Sequence, residues 1–282
     1  MIRTVSGDLI QETVERLAVE ASFDLPDDVR DALKAAMDKE SEERPREVIA
    51  QLIENAEIAA KERVPICQDT GVFNVYIEVG PGVSFSEPLE QAVNAGIREA
   101  TLKANLRPSI VCDPLFSRRN SGDNTPASIY IREISEENAV RLTVFSKGAG
   151  SENVTNLKMM LPTTRKEELA RVIVEAVCEK AAFACPPLVV GVGIGGNADE
   201  AIGLGKRALL RNIGSPSANP AYRELERGIL ARINSTGIGP AGLGGETTAL
   251  GVMIEDAPTH IASLPVAIVI SCHVLRRKTA II

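Results

Sequence analysis

The sequence contains no uninterrupted apolar run long enough to cross a bilayer. The longest candidate, from Leu264 to Ile270, has the length of a single β-strand. The first residues also lack the basic stretch followed by an apolar stretch that marks a secretory signal. These absences predict a cytoplasmic protein without a membrane partner.

Clustered basic residues are also scarce. The chain has 282 residues, with 31 Lys and Arg against 38 Asp and Glu, and a formal net charge of -7. Surfaces that bind nucleic acids or anionic membranes need concentrated positive charge, so neither partner is predicted. Two short basic runs, Arg118-Arg119 and Arg276-Arg277-Lys278, are interpreted as solvent-facing. The charged stretch from Asp38 to Arg44 is interpreted in the same way.

The five cysteines contain no short Cys-x-x-Cys step. This excludes a zinc knuckle and a ferredoxin-type run, and an odd count prevents complete disulfide pairing. Cys67, Cys185 and Cys272 each stand where a regular element meets a loop. If they converge, three thiolates could bind a four-iron cluster and leave one iron open as a Lewis acid. The residues alone leave this open against structural thiols, the role that we assign to Cys178 in mid-helix.

What the chain does contain is a polar segment, Ile66-Cys67-Gln68-Asp69-Thr70-Gly71, which we call the Cys67 loop. A thiol, an amide, a carboxylate and a hydroxyl in succession pack poorly in an apolar core, and the glycine permits a sharp turn. Such a loop suits the binding of a metal and a substrate. The alternative is that Cys67 is a small buried hydrophobic residue at a turn.

Apolar periodicity predicts an α+β protein. Residues 1–63 are expected to form a helical lead, and residues 64–282 a mixed α/β body with small sheets flanked by helices. Val72 to Val79 alternates as a half-buried strand does, and Ala127 to Ile134 and Val140 to Phe145 are predicted to form a hairpin. Because no linker or repeat separates the parts, we expect a single domain over 1–282.

Two glycine-rich segments have ambiguous meanings. Lys147 to Asn153 could expose consecutive backbone N–H groups as an anion-binding nest, or could be an ordinary turn. Gly191 to Gly196 formally matches the dinucleotide-binding pattern G-x-G-x-x-G. That match is weak because the expected acidic residue about twenty positions further on is missing.

Several motifs in order resemble the α subunit of the two-subunit class I fumarate hydratases, which are close relatives of L(+)-tartrate dehydratase α subunits. They are Cys67-Gln68-Asp69-Thr70-Gly71, Asn124-Thr125-Pro126, Lys147 to Asn153, Cys185-Pro186-Pro187, and Gly237-Ile238-Gly239-Pro240 through His260 to Cys272. The resemblance covers nearly the whole chain. It implies equivalence to the N-terminal domain of single-chain class I fumarases.

The resemblance implies an oxygen-sensitive four-iron four-sulfur cluster bound by Cys67, Cys185 and Cys272, with one open iron. Cys112 and Cys178 match no ligand position. It also implies that the substrate dicarboxylate is lined by Asp69, Arg107, Gly150 and His260, with Asp69 and His260 in catalytic roles. A guanidinium fork suits a carboxylate, and a glycine permits close backbone approach.

The reaction that the resemblance implies is the reversible hydration of fumarate to (S)-malate, a step of the tricarboxylic acid cycle. In that family the proposed base is a threonine, which lies with a lysine and further arginines on a swivelling domain. We therefore expect a β subunit that carries this domain, and a dimer of αβ pairs. Ala149 departs from the family's glycine run, and it would be strained if its φ were positive.

Three other functions stay open from the sequence. L(+)-Tartrate or mesaconate could be the substrate, although the tartrate enzymes look different after the glycine run, where this chain continues Ser151-Glu152-Asn153. A dinucleotide-binding module would use Gly191 to Gly196 and would contain no iron. A scaffold protein would bind zinc through its thiols, or no metal.

Overall fold

The computed structural model describes residues 2–282 and divides them into two compact units. The first unit comprises the chain up to Pro26, Ala56–Ala149 and Arg276–Ile282, and the second comprises Asp27–Asn55 and Gly150–Leu275. Each unit is therefore discontinuous in sequence. The helices predicted as one lead are shared between the units, and the third of them runs across the division.

Helices and strands together confirm the predicted α+β class. In chain order they are β1 (Arg3–Val5), α1 (Gly7–Phe23), α2 (Asp27–Lys39), α3 (Glu43–Glu62), β2 (Val72–Val79), β3 (Val83–Phe85), α4 (Leu89–Lys103), β4 (Ser128–Glu133), β5 (Val140–Lys147), α5 (Ala149–Glu152), β6 (Asn156–Met160), α6 (Lys166–Lys180), β7 (Leu188–Gly195), α7 (Ala198–Ala208), α8 (Pro220–Asn234), β8 (Ala249–Ala257), β9 (Leu264–Ser271) and β10 (Arg276–Ile281). Short 3-10 helices cover Ala181–Ala184 and Pro240–Gly242. None of the helices in residues 2–282 has the length and apolar character that a membrane crossing requires.

The first unit is built on a four-stranded sheet in the order β10-β5-β2-β4. The predicted hairpin of β4 and β5 is wrong, because β2 lies between them, parallel to β4 and antiparallel to β5. As an inner strand, β2 has partners for its backbone on both edges. The apolar face of β2 packs with α1 and α4, and the opposite face is covered as well, since Asn74 is only 1% exposed.

The second unit is built on a four-stranded sheet in the order β6-β9-β7-β8. Its strand β7 is antiparallel to β9 and parallel to β8, and α7 and α8 form the crossover that a parallel pair requires. A Cβ on Gly193 would lie 1.9 Å from the carbonyl oxygen of Ala201 in α7. The glycines of the G-x-G-x-x-G pattern therefore include positions inside a strand where a helix packs closely.

Three charged side chains that we predicted to face solvent are buried. Arg276 is 2% exposed, Arg277 is 6% exposed and Glu40 is 2% exposed. The carboxylate of Glu40 accepts the backbone N–H groups of Glu246 at 2.8 Å and Thr247 at 2.7 Å, which explains its burial. Arg118 and Arg119 are exposed, as predicted.

Candidate functional site

The Cys67 loop lies at one end of the first unit's sheet, immediately before β2. Val72 pairs with Lys147, the last residue of β5, so the turn that follows β5 stands beside the loop. Gly71 has φ +77, and a Cβ there would lie 2.3 Å from the carbonyl oxygen of Lys147. Glycine is therefore required twice, for its conformation and for the close approach of two backbones.

Asp69 joins this loop to the following turn through its carboxylate. Oδ1 accepts the N–H of Gly71 at 2.9 Å, and Oδ2 accepts the N–H of Ala149 at 2.7 Å. One amide of the predicted nest thus binds an anion of the chain itself. Ala149 begins α5 and is absent from the residues with positive φ, so its extra methyl group causes no backbone strain.

Two buried side chains hold the main chain of the Cys67 loop from the sheet. Arg276 on β10 and Ser146 on β5 are cross-strand partners. Arg276 Nη1 donates to the carbonyl oxygen of Asp69 at 2.8 Å, and Ser146 Oγ donates to that of Thr70. The carbonyl groups of two successive residues, Asp69 and Thr70, are therefore held by side chains on two neighbouring strands of the sheet. Sequence reasoning missed both donors, because a basic run and a serine near a strand end carry no specific signal.

Arg107 presents an exposed side chain from a loop whose backbone is fixed by Asn124. The Nδ2 of Asn124 donates to the carbonyl oxygen of Arg107 at 3.1 Å, and its Oδ1 accepts the N–H of Ser109 at 2.6 Å. Asn124 is 0% exposed. No ion pair of the Arg107 guanidinium occurs within residues 2–282, so the group is available to a ligand. The Asn124-Thr125-Pro126 motif was noticed in the sequence, but not this positioning role.

Asp123 supports the same loop. Burial would raise the pKa of its carboxyl group, but hydrogen bonds from Thr125 and Arg98 outweigh that effect and lower the pKa to about 2. Thr125 donates to Oδ1 through both Oγ1, at 2.7 Å, and its backbone N–H, at 3.0 Å. Arg98 Nε donates to Oδ2 at 2.9 Å. The loop that carries Arg107 is therefore tied to α4 and is well ordered.

In the second unit, the sheet brings Cys185 and Cys272 to the same end. Cys185 precedes β7 and Cys272 follows β9, and these strands are antiparallel with Val189 opposite Ser271. The start of one strand and the end of the other are therefore adjacent. The side chain of Cys185 is exposed and that of Cys272 is half-buried. The proximity of these two chain segments, whose cysteines are 87 residues apart in sequence, could not be read from the sequence alone.

His273 connects the two cysteines directly. Its backbone N–H lies 3.4 Å and its ring Nδ1 lies 3.0 Å from the carbonyl oxygen of Cys185. A carbonyl oxygen only accepts, so Nδ1 carries the proton. Burial lowers the pKa of His273, and the hydrogen bond to Cys185 opposes this in part. The neutral ring thus donates a hydrogen bond to the backbone of Cys185, and the residue that carries the ring follows Cys272 in the chain.

Cys185 itself has a strained backbone. Its φ of 54 and ψ of 69 lie in the left-handed region, which residues with a Cβ rarely adopt. Strain of this kind persists where neighbouring contacts enforce it, and it concentrates at functional sites. Here the contacts come from His273 and from the amide of Ala241, which donates to the carbonyl oxygen of Pro186 at 2.9 Å.

His260 is exposed in the loop between β8 and β9. Its Nδ1 accepts the backbone N–H of Ala262 at 3.1 Å. In the neutral ring the proton must therefore lie on Nε2, which makes that atom a hydrogen-bond donor. A donor suits the binding of a substrate oxygen, whereas a general base would need a free lone pair at Nε2.

Gly150 is exposed in α5, and the protein itself does not require a glycine there. A Cβ would meet only the carbonyl oxygen of Phe183, at 3.8 Å, and the φ is not positive. Glycine inside a helix costs about 1 kcal/mol relative to alanine. Neither the backbone conformation nor the packing of the described residues therefore requires glycine at this position.

The remaining cysteines have other surroundings. Cys112 is exposed in the loop after Arg107 and belongs to a β-bridge region between Val111 and Asn120. Burial raises the pKa of Cys178, and a hydrogen bond with Thr236 opposes that shift. A half-buried thiol with a raised pKa is a poor metal ligand and suits a structural role.

The donor set fits an iron–sulfur cluster in kind. Cys67, Cys185 and Cys272 form no disulfide within residues 2–282 and have some exposure, and each lies near the end of a sheet. Thiolates are the ligands that iron–sulfur clusters use. Cys67 belongs to the first unit and the other two to the second, and no group of three or more His, Cys, Asp or Glu side chains in residues 2–282 is arranged around a common metal position.

Three partly exposed thiols, an exposed guanidinium that forms no ion pair within residues 2–282 and a polar loop with fixed carbonyl groups are groups of the kinds that bind metals and carboxylates. A sequence model of the family described as Fumarate hydratase (Fumerase) matches residues 11–281. The chain belongs to this family, and the predicted resemblance is confirmed. Membership makes it a hydro-lyase.

Curated relatives match over nearly their whole length. A protein of Methanocaldococcus jannaschii with the provisional name L(+)-tartrate dehydratase subunit alpha is 41% identical over 273 residues, which are 95% of each chain. The L(+)-tartrate dehydratase subunit alpha of Escherichia coli K12 is 32% identical over 276 residues, 97% of this chain and 90% of that one. The subunit of the same name from Shigella boydii has the same identity and coverage.

Proposed function

We propose that this chain is the α subunit of an iron–sulfur hydro-lyase that interconverts fumarate and (S)-malate. The family match over residues 11–281 carries the proposal, because it spans every candidate site residue. The contacts described above support it, since they order the segments that hold the cysteines and leave Arg107 free for a carboxylate. The protein acts in the cytoplasm, in the tricarboxylic acid cycle.

In this proposal Cys67, Cys185 and Cys272 hold a four-iron four-sulfur cluster with one open iron. When bound by these residues, the cluster would supply Lewis-acid chemistry for the oxygen groups of the substrate. His273 keeps Cys185 beside Cys272, and the sheet donors Arg276 and Ser146 keep the Cys67 loop in one conformation. Ordered ligands lose less conformational freedom when a metal binds.

The chain's own polar groups bind and orient the dicarboxylate. Arg107 pairs with a carboxylate through its guanidinium fork. Asp69 uses one lone pair of each oxygen for backbone amides, and the others can accept hydrogen bonds from the substrate. His260 donates from Nε2, and Gly150 offers its N–H without a Cβ in the way. These groups fix the substrate, and the base that removes the proton from C3 comes from elsewhere.

That base is assigned to a β subunit which carries the swivelling domain. The relatives are named as α subunits, which supports the existence of such a partner. Our assignment of Nε2 of His260 as a donor agrees with a base outside this chain. The complete enzyme is proposed to be a dimer of αβ pairs.

L(+)-Tartrate is the second candidate substrate, favoured by the names of the curated relatives. The continuation Ser151-Glu152-Asn153 favours fumarate, and mesaconate is a further dicarboxylate of similar shape. (S)-Malate and L(+)-tartrate differ by one hydroxyl group, and a site built to bond a hydroxyl rejects an analogue that lacks it. Substrate choice is therefore measurable as a large ratio of kcat/KM values.

The test uses the αβ complex, reconstituted anaerobically with iron and sulfide. We expect hydration of fumarate to exceed reaction with L(+)-tartrate and mesaconate, and we expect the α chain alone to have little activity. Turnover by the α chain without any partner would contradict the two-subunit proposal. A kcat/KM that is highest for L(+)-tartrate would identify L(+)-tartrate as the substrate instead of fumarate.

The cluster is tested separately by single Cys→Ser variants. Replacement of Cys67, Cys185 or Cys272 should lower iron and acid-labile sulfide per chain and remove the brown colour that bleaches in air. Cys112→Ser and Cys178→Ser are the matched controls and should keep both. Binding of zinc or NAD with unchanged iron content across all five variants would favour the scaffold or the dinucleotide module instead.

A further inference from the structure

Arg276 is a buried cation that has no counter-ion among residues 2–282. Its side chain is 2% exposed, and its one hydrogen bond to the described residues goes from Nη1 to the carbonyl oxygen of Asp69. Its Nε is buried and has no partner, and no carboxylate of residues 2–282 forms an ion pair with the guanidinium. The buried carboxylate of Glu40, by contrast, accepts two backbone N–H groups.

Such a group is costly for folding. The desolvation of a charged group opposes folding unless an opposite charge and hydrogen bonds compensate it. A methionine or leucine of similar size would fill the same space without this cost. A buried arginine whose Nε has no partner among the described residues therefore indicates that an anion completes its surroundings in the working protein.

The position of the guanidinium identifies the region where that anion binds. Nη2 of Arg276 lies 3.6 Å, and Oδ2 of Asp69 lies 3.2 Å, from the point where a Cβ on Gly148 would stand. Both groups thus face the small turn between β5 and α5. The Asp69 carboxylate is already bound by the amides of Gly71 and Ala149, and it does not pair with Arg276.

We propose that the active site has, in addition to Arg107, a buried positive charge on Arg276, which holds the Asp69 carbonyl in place and stabilises the anionic contents of the Cys67 loop. Those contents are the substrate carboxylate, the thiolate-bound cluster, or both, so the inference rests on the proposed function. Arg276 is a positioning residue. The buried charge of Arg276 lowers the stability of the protein without a bound anion, and binding of the anion restores that stability.

The test separates charge from structure with two substitutions in the full-length chain. Arg276→Met removes the charge and keeps the apolar volume, whereas Arg276→Lys keeps the charge. Arg132→Met is the matched control, because Arg132 is an exposed arginine in the same sheet, paired with Glu78. Melting temperature is measured for the metal-free chain, the metal-free chain with fumarate, malate or L(+)-tartrate, and the reconstituted chain without dicarboxylate.

For the metal-free, ligand-free chain we expect Arg276→Met to melt at the same temperature as wild type or higher. Its rise in melting temperature on addition of dicarboxylate or on reconstitution should be smaller than that of wild type. The difference should correspond to an affinity that is weaker by about tenfold or more. If Arg276→Met is no longer stabilised by dicarboxylate, the anion is the substrate carboxylate. If it is no longer stabilised by reconstitution, the anion is the cluster. Arg276→Lys should restore most of the response, and Arg132→Met should leave it unchanged.

The outcomes distinguish this inference from the proposed function. A lower melting temperature of metal-free Arg276→Met, with an undiminished response to anions, would show a purely structural arginine and overturn the inference alone. A wild-type chain that takes up no iron and responds to no dicarboxylate would overturn the proposed function and this inference together.

Discussion

His273 donates its ring Nδ1–H to the carbonyl oxygen of Cys185 across 3.0 Å, while Cys272 is its neighbour in the chain. This contact joins two thiols that the antiparallel pairing of β7 and β9 has already brought to one sheet end. Outer residues that fix the orientation of metal ligands often change metal affinity by 10–100-fold when they are replaced. Substitution of His273 can thus loosen the cysteine pair without removing a thiol.

Replacement of His273 should therefore weaken cluster retention unless the new side chain can donate a hydrogen bond to the carbonyl oxygen of Cys185. Asn places its amide N–H near the position of Nδ1 and should retain iron close to wild type. Gln and Ala should lose iron, because neither has a donor there. Iron and sulfide per chain after anaerobic reconstitution measure this, and the alkylation rate of Cys185 in metal-free protein provides a second measurement. Equal iron content in all three variants would show that the contact is incidental.

Gly150→Ala should separate stability from function. Alanine fits the helix α5 because the nearest atom to its Cβ is 3.8 Å away. The free energy of unfolding should rise by up to about 1 kcal/mol, as expected for Gly→Ala in a helix. The KM for the dicarboxylate should increase, because the methyl group would stand where a ligand approaches the backbone. Urea unfolding and steady-state kinetics of the αβ complex measure the two effects.

The control for this substitution is Gly228→Ala in the exposed middle of α8, where no atom lies within 4 Å of the added Cβ. It should give a similar stabilisation and leave the kinetics unchanged. A KM that stays at the wild-type value in Gly150→Ala would remove Gly150 from the substrate site.

Much of the local structure follows from the sequence. The apolar spacing of Leu169, Ile173 and Val177 identifies α6, and the alternation of Phe73, Val75 and Ile77 identifies β2. The pairing of strands did not follow, because an alternating pattern does not specify the neighbouring strand. β2 lies between β4 and β5, and no local turn signal indicates this.

The candidate site was predictable where chemistry is local, and less so where it depends on contacts between distant residues. Three cysteines stood out because each meets a loop at the end of an element. Arg276 and Glu40 did not, since a charged residue is exposed in most proteins and burial depends on partners far along the chain. The partner of Arg276 is 207 positions away in sequence.

Asp123→Asn should lower the stability of the loop that carries Arg107 in a manner that depends on pH. The pKa of Asp123 is lowered to about 2 from its ordinary value of 3.8. Its contribution to stability is therefore fully present above about pH 4, and it is lost as the pH falls through 2. We expect wild type to exceed the variant by about 1 kcal/mol at pH 7, since the group is partly exposed.

Urea unfolding of both proteins at pH 7, 5 and 3 measures this difference, which should shrink at the lowest pH. Asp31→Asn on the exposed face of α2 is the control and should show no such trend. A difference between wild type and Asp123→Asn that grows on acidification would contradict the assigned sign.

Glu40 reaches the site through a chain of backbone contacts, and Glu40→Gln should show its effect at Cys185. The carboxylate accepts the backbone N–H groups of Glu246 and Thr247 in the loop between α8 and β8, and the N–H of Ala241 in the same loop donates to the carbonyl oxygen of Pro186. A glutamine has one accepting oxygen, so one buried amide would face an NH2 group. We expect a loss of about 1–3 kcal/mol in the free energy of unfolding. We also expect faster alkylation of Cys185 in the metal-free chain, with Glu42→Gln, whose side chain is exposed, as the control. Loss of stability with an unchanged Cys185 reactivity would mean that the loop supports the fold without positioning the cysteine.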